Sequence, residues 1–187
     1  IALPSFLSSL IMGTGAAPFV SNLVEGLLRI AIFIGYLVAV SQMKEIKRVF
    51  MYHGAEHKTI ACYEADLPLT VDNARKMNRL HPRCGTNYLF LVMMVSILFF
   101  SLLGFTGHWA LKILIRIVCL PIVAGLSFEV LRAAGKSDSL LARIVRWPGL
   151  KLQLITTKEP DESQLEVAIL AFRLAEDASA VYAEHPE

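Results

Sequence analysis

The sequence predicts an all-α protein, a polytopic membrane helix bundle of three to four transmembrane helices with a cytoplasmic helical layer. Three observations carry this expectation. Hydrophobic residues make up 55% of the 187 residues and charged ones 18%. The mean hydropathy of +0.55 is concentrated in nearly uncharged runs of spanning length, which a soluble core seldom needs. The Lys and Arg residues gather in two polar segments on either side of a pair of these runs, and such asymmetry sets membrane orientation. A net charge of +2 is too small to argue for nucleic acid. The partners implied are the lipid bilayer, a substrate of unknown class and further copies of the chain.

Residues 1–131 read as a membrane bundle carrying a cytoplasmic, His-containing loop at 42–86. Residues 132–187 read as a cytoplasmic C-terminal segment ending in an amphipathic helix. The chain begins at Ile1 rather than Met, so an N-terminal portion is expected to be missing. Ile1 to Ala17 is apolar but holds Pro4, Gly13 and Gly15. At the short end of the ~17–25 residues a span needs, it reads as a membrane helix or a re-entrant segment. Asn22 to Ser41 is a firmer span with only Glu25 and Arg29 charged. These two stand at i,i+4 and can pair, as an interfacial anchor with a snorkelling Arg or as the polar lining of a cavity.

Gln42 to Thr86 is polar and carries eight Lys/Arg. A helix is expected to continue out of the membrane through Met43 to Ile60. Leu67-Pro68 breaks it, and Thr70 is placed to cap a short helix from Val71 to about Leu80. His81 precedes Pro82, which biases it to extended backbone, and 81–86 reads as a loop. Asn87 to Leu103 holds no charge and is a clear span. Gly104 to His108 is a short turn, and Trp109 to Leu131 returns, with Trp109 at an interface position. Lys112 and Arg116 stand four apart near its start, snorkelling outward or lining a pore. Pro121 and Gly125 are expected to kink it. After that, 135–138 and Trp147-Pro148-Gly149 read as turns, and Leu152 to Thr157 as extended. Asp161 to about Glu184 reads as an amphipathic helix with Leu165, Ala168, Phe172 and Ala175 on one face, with negative charge at its start as the helix dipole prefers.

The chemistry is expected at Tyr52-His53-Gly54-Ala55-Glu56-His57-Lys58. On a helix His53 and His57 share one face at i,i+4, a spacing that lets two imidazoles reach one metal ion. The pattern H-x-x-E-H is the inverted zinc-protease signature, in which two His hold zinc and the Glu acts as general base. Gly54 weakens the helix that this needs. A catalytic zinc takes three protein ligands, and the candidates for the third are His81, Cys84, Glu64 and Glu129. A closed set of His53, His57, His81 and Cys84 would instead be structural. Cys62 is a further soft donor nearby, whereas Cys119 lies in an apolar run and reads as a small buried residue. Disulfides are disfavoured on the cytoplasmic side. Bland alternatives stand beside each assignment: interfacial histidines bonded to backbone or lipid phosphate, a capping role for His81, an inert thiol at Cys84, an ion pair from Glu56 to Lys58 or Arg83, and one from Glu129 to Arg132.

The Tyr52–Lys58 and His81-Pro82-Arg83-Cys84-Gly85-Thr86 motifs, with Pro148-Gly149-Leu150, Thr156-Thr157-Lys158-Glu159-Pro160 and Leu165-Glu166-Val167-Ala168, resemble the YqhQ-like family. These are bacterial multi-pass inner-membrane proteins grouped as a domain of unknown function and labelled as predicted metal-dependent enzymes. The resemblance runs from about Asn22 to Ala171. Members of that family usually begin with a Gly-rich segment containing a Glu-Gly-Val-Met-Met-like run, which this chain lacks. The function expected is a metal-dependent hydrolase, with zinc, at the cytoplasmic face of the bacterial inner membrane. Its metal ligands would be His53, His57 and His81 or Cys84, with Glu56 as general base. The alternative is a non-enzymatic channel, transporter or assembly protein whose His/Cys cluster is structural and whose polar path is lined by Glu25, Arg29, Lys112, Arg116 and Glu129.

Overall fold

The computed structural model describes residues 2–12, 17–82, 84–103, 109–137 and 139–184. Eight helices and no strand are found among them: α1 (Ala2–Met12), α2 (Pro18–Val40), α3 (Lys44–Glu64), α4 (Val71–Lys76), α5 (Gly85–Leu103), α6 (Trp109–Gly135), α7 (Leu140–Thr156) and α8 (Glu162–Glu184). Three helical stretches are long and apolar enough to cross a membrane: Phe19–Val40, Gly85–Leu103 and Leu114–Gly135. The shortest, of 19 residues, extends about 28 Å at 1.5 Å per residue, close to a bilayer's hydrocarbon thickness. α1 has 11 residues, short of a span, and the expected turn at 104–108 lies outside the described residues. The chain forms two compact units, Ile1–Val38 with Pro82–Gly149, and Ala39–His81 with Leu150–Glu187. The units part after Val38, His81 and Gly149. The histidines at 53, 57 and 81 share a unit with residues 150–187.

The first unit is apolar. Antiparallel α5 and α6 are joined by the Tyr88 hydroxyl donating to the Ala124 carbonyl at 3.2 Å. At their other end the Arg116 guanidinium lies over the Phe100 ring. α2 runs antiparallel to α5, with the Asn22 amide donating to the Phe100 carbonyl at 3.0 Å and Gly26 seated against Ile97. Gly26 is needed there, because a Cβ would come within 2.5 Å of Ile97. The Glu25 carboxylate takes one bond from Arg29 at 3.1 Å and two from Arg116. Arg116 therefore neither snorkels nor stands open to a pore; it is the second cation on one buried carboxylate. The side chain of Lys112 lies outside what is described. Cys119 is half-buried rather than buried.

The expected continuation of α2 into the next helix does not occur. Gln42 N–H bonds to the Ala39 carbonyl and Met43 N–H to that of Val40, a tightening of the last turn. Met43 is then extended at φ −70°, ψ 133°, and α3 starts afresh. α7 is the larger correction. Sequence reading places a turn at Trp147-Pro148-Gly149 and extended chain from Leu152, yet one helix runs through both. Pro148 forfeits a single backbone bond, and Gly149 fits against Asn87 of α5, so tertiary packing overrides local propensity.

The second unit packs α8 and α4 on α3 around Ala55, Cys62, Ala74, Leu165 and Ile169. α3 ends in a Schellman motif: Leu67 N–H reaches the Cys62 carbonyl and Asp66 N–H that of Tyr63, with Asp66 in the left-handed region at φ 53°. Thr70 caps α4 as expected, its hydroxyl accepting from Asn73 N–H at 3.3 Å, but α4 stops at Lys76 because Met77 is extended. On α8 the inward stripe is Leu165 and Ile169, buried, with Ala168 and Phe172 half-buried, the Phe172 ring tilted against that of Tyr63 at 4.8 Å. Ala175 is exposed. Asp161 and Gln164 cap α8 reciprocally: the Asp161 carboxylate accepts from Gln164 N–H at 2.9 Å, and the Gln164 side chain accepts from Asp161 N–H at 2.9 Å.

Two predictions follow from this packing. Gly54 of α3 lies against the Lys158 carbonyl, and an added Cβ would collide with that backbone oxygen. Ala gains up to about 1 kcal/mol of helix propensity, but overpacking costs about 1–3 kcal/mol. Gly54→Ala should therefore destabilise the second unit, read as a lower unfolding midpoint in detergent. The bonds from Ser163 and Gln164 hold the Asp161 carboxyl below its ordinary value. The cap's contribution is thus complete above the usual carboxylate pKa of about 4 and is lost as pH falls through the lower folded value. Asp161→Ala should reduce the acid dependence of α8 helicity over that range, followed by circular dichroism.

Candidate metal centre

α3 places His53 and His57 one turn apart on one face. Their ring centroids are 4.4 Å apart, and a ring nitrogen of each lies within 4.8 Å of one of the other's. Each Nδ1 meets a backbone carbonyl: His53 Nδ1 that of Thr156 at 2.8 Å, and His57 Nδ1 that of Arg79 at 2.6 Å. A carbonyl oxygen only accepts, so in the neutral imidazoles both protons sit on Nδ1 and both Nε2 atoms carry the lone pair. Metal-ligating histidines are oriented by the same arrangement, with the second nitrogen donating to a carbonyl or carboxylate.

The two carbonyls are available for physical reasons. Thr156 is the last residue of α7, where carbonyls have no intrahelical partner. Arg79 lies in irregular chain after α4. The neighbouring ion pairs hold that chain in place. Buried Lys58 donates to the Arg75 carbonyl at 2.9 Å and pairs with Glu159 at 3.0 Å, while Arg79 reaches the same carboxylate at 3.6 Å.

His81 joins the two histidines from the loop. Its ring centroid is 5.8 Å from that of His57, and its Nε2 is 3.2 Å from the Glu64 carboxylate. Its backbone is clamped by the fully buried Gln153 amide: His81 N–H donates to Gln153 Oε1, and Gln153 Nε2 donates to the His81 carbonyl, both at 2.8 Å. Glu64, a candidate ligand from sequence, is thus the carboxylate partner of His81.

The remaining candidates lie as follows. Glu56 is exposed on α3, and the expected pairing with Lys58 is taken by Glu159; Arg83 lies outside the described residues. Cys84 belongs to the apolar unit as the buried residue before α5, its sulfur 3.4 Å from Thr86 N and Oγ1. Cys62 turns into the core, with its thiol toward the Pro68 carbonyl at 3.6 Å, and burial pushes its pKa up, so the expectation of a nearby soft donor is not met. Glu129 is exposed in the apolar unit and pairs with Arg132 at 3.7 Å, the bland alternative given above.

Residues 1–178 match the family described as "Protein of unknown function (DUF1385)". The chain belongs to this family. It is 39% identical over 170 residues to the "Uncharacterized protein YqhQ" of Bacillus subtilis (strain 168), covering 90% of this chain and 53% of the relative. The chain therefore spans about half the length of the curated relative it matches. No solved structure matches it. The motifs around His53 and His81 that suggested a YqhQ-like protein led to the right family.

Sequence reasoning missed Gln153 and the carbonyls of Thr156 and Arg79. Backbone carbonyls leave no trace in residue identity. Gln153 left a weak one, as an uncharged polar residue between Leu152 and Leu154. The tautomer assignment is testable: nitrogen NMR of neutral His53 and His57 should show protonated Nδ1 and pyridine-like Nε2, and the reverse tautomer would break the assignment.

Proposed function

We propose that this member of the family is a metal-dependent hydrolase, with zinc, at the cytoplasmic face of the bacterial inner membrane. The observation that supports it best is the pair of imidazoles one helical turn apart, each with Nδ1–H held by a carbonyl and Nε2 bearing the lone pair. His53 and His57 bind the metal through Nε2. His81, or Cys84 three residues further along the chain, supplies the third donor. Nitrogen and sulfur donors favour zinc over magnesium or calcium. Zinc, when bound, supplies Lewis acidity and makes water a nucleophile near neutral pH. Glu56 takes the proton from the attacking water. Glu64 orients His81, and Gln153 fixes the loop that carries it.

The orientation rests on charge. Fifteen Lys/Arg fall in 42–86 and 132–187, against none in 104–108, which assigns the first two segments to the cytoplasm. Cysteines introduced at Ser139 and Gly107 should label from opposite sides of the membrane, and labelling from one side would overturn this orientation.

The alternative is a non-enzymatic membrane protein with a structural metal. The burial of both His57 and His81 favours it, because structural zinc sites are closed. Variants separate the two readings. His53→Ala should lower zinc from about one ion per chain to a trace, by elemental analysis of purified protein. Glu56→Gln should keep the zinc and lose about 10²–10⁴-fold in turnover of a peptide or lipid-headgroup ester. Zinc that persists in His53→Ala would remove the metal-site reading. Zinc with no turnover of any such substrate would leave the structural one.

A further inference from the structure

The helix α7, found where sequence predicted a turn, has its amphipathicity turned outward. Leu140, Ile144 and Trp147 follow at i, i+4 and i+7 and are 73%, 58% and 61% exposed. Leu141 flanks them, also exposed. The opposite face of this half of the helix is already packed, with Ala142 buried and Gly149 against Asn87 of α5. The exposed stripe is therefore not a core face of its own unit. Four large apolar side chains, one of them Trp, require a non-aqueous neighbour.

Charge and chain connection select that neighbour. The helix carries Arg143, Arg146 and Lys151 and no acidic residue between Leu140 and Thr156. Arg143 is exposed beside the stripe. α6, whose Leu114–Gly135 stretch is apolar enough to span a bilayer, ends at Gly135, and α7 begins at Leu140. Even fully extended, that connection reaches about 18 Å, so Leu140 stays near the point where α6 leaves the membrane. A helix with an apolar face, Trp and basic flanks lies in the interface with its apolar side in the headgroup–acyl boundary. Cationic side chains there are drawn to anionic lipid.

We infer that the exposed stripe Leu140/Leu141/Ile144/Trp147 docks into the surface of an anionic phospholipid leaflet, with Arg143 on the lipid phosphates. This rests on the membrane location proposed above. The test uses the full chain in vesicles of phosphatidylcholine with or without phosphatidylglycerol. Trp109→Phe leaves Trp147 as the one tryptophan of the two; if that variant does not fold, the difference between wild type and Trp147→Phe gives the same signal. Lipids brominated near the glycerol end of the acyl chain should quench Trp147 more strongly than lipids brominated near its methyl end. Reversing charge in Arg143→Glu with Arg146→Glu should reduce that quenching at least about twofold in anionic vesicles and leave it unchanged in zwitterionic ones. Protein that floats with the vesicles while Trp147 is unquenched overturns the inference and leaves the membrane location standing. Equal quenching from both depths overturns it as well, as does a disulfide between copies through Leu140→Cys with Trp147 unquenched, which makes a second copy the occupant. Protein released by an alkaline wash overturns the membrane location and the inference together.

Discussion

The Lys158 backbone lies against the bare Cα of Gly54, and the second unit depends on this close approach. Lys158 N–H donates to the Phe50 carbonyl at 2.8 Å, so the chain leaving α7 is fixed along α3 rather than passing over it. Three consequences follow. The Thr156 carbonyl arrives at His53 Nδ1. Glu159 arrives at Lys58 and Arg79, which steadies the loop whose Arg79 carbonyl orients His57. Asp161 starts α8 where Leu165 can bury against Ala55 and Cys62. A methyl group at position 54 opposes all three at once. Gly54 also costs helix propensity, and the same absence of a side chain that weakens α3 admits the segment that orders its histidines.

How much was legible in the sequence differs between the two units. Long uncharged runs report the apolar helices directly, because the bilayer imposes a length, and the structure shifts their ends by only a few residues. The His53–His57 pairing follows from helical period alone. α7 was not legible. Trp147-Pro148-Gly149 has turn composition, and the reason it stays helical is Asn87, some sixty positions earlier in the chain. The histidine environment was half legible: ring-bearing residues can be counted, whereas the carbonyls that decide their tautomers belong to no residue type. Glu64 was singled out as a possible metal donor, and the structure pairs its carboxylate with His81. Spacing cannot tell a ligand from the carboxylate that orients one.

The apolar unit is organised around a different constraint. Glu25 is shared by Arg29 and Arg116, two cations on one carboxylate, all three largely shielded. A charge pair in a low-dielectric setting contributes little net stability because desolvation opposes the attraction. Breaking it by removing one member is far more costly, about 3–5 kcal/mol. Its effect is registry. The bidentate contact from Arg116 fixes α6 against α2 in rotation and height, which apolar side chains alone specify weakly. Gly26 and Asn22, on the same stretch of α2, set its distance from α5.

The Gln153 clamp separates two kinds of information at position 81. The two bonds at 2.8 Å go to the His81 main chain, which every amino acid other than proline can offer. The course of the loop there is written in Gln153, while the imidazole meets Glu64 and His57. The fold thus holds a socket whose position is independent of what is plugged into it. A lineage could exchange the side chain at 81, and with it the chemistry of the centre, without first having to rebuild the loop.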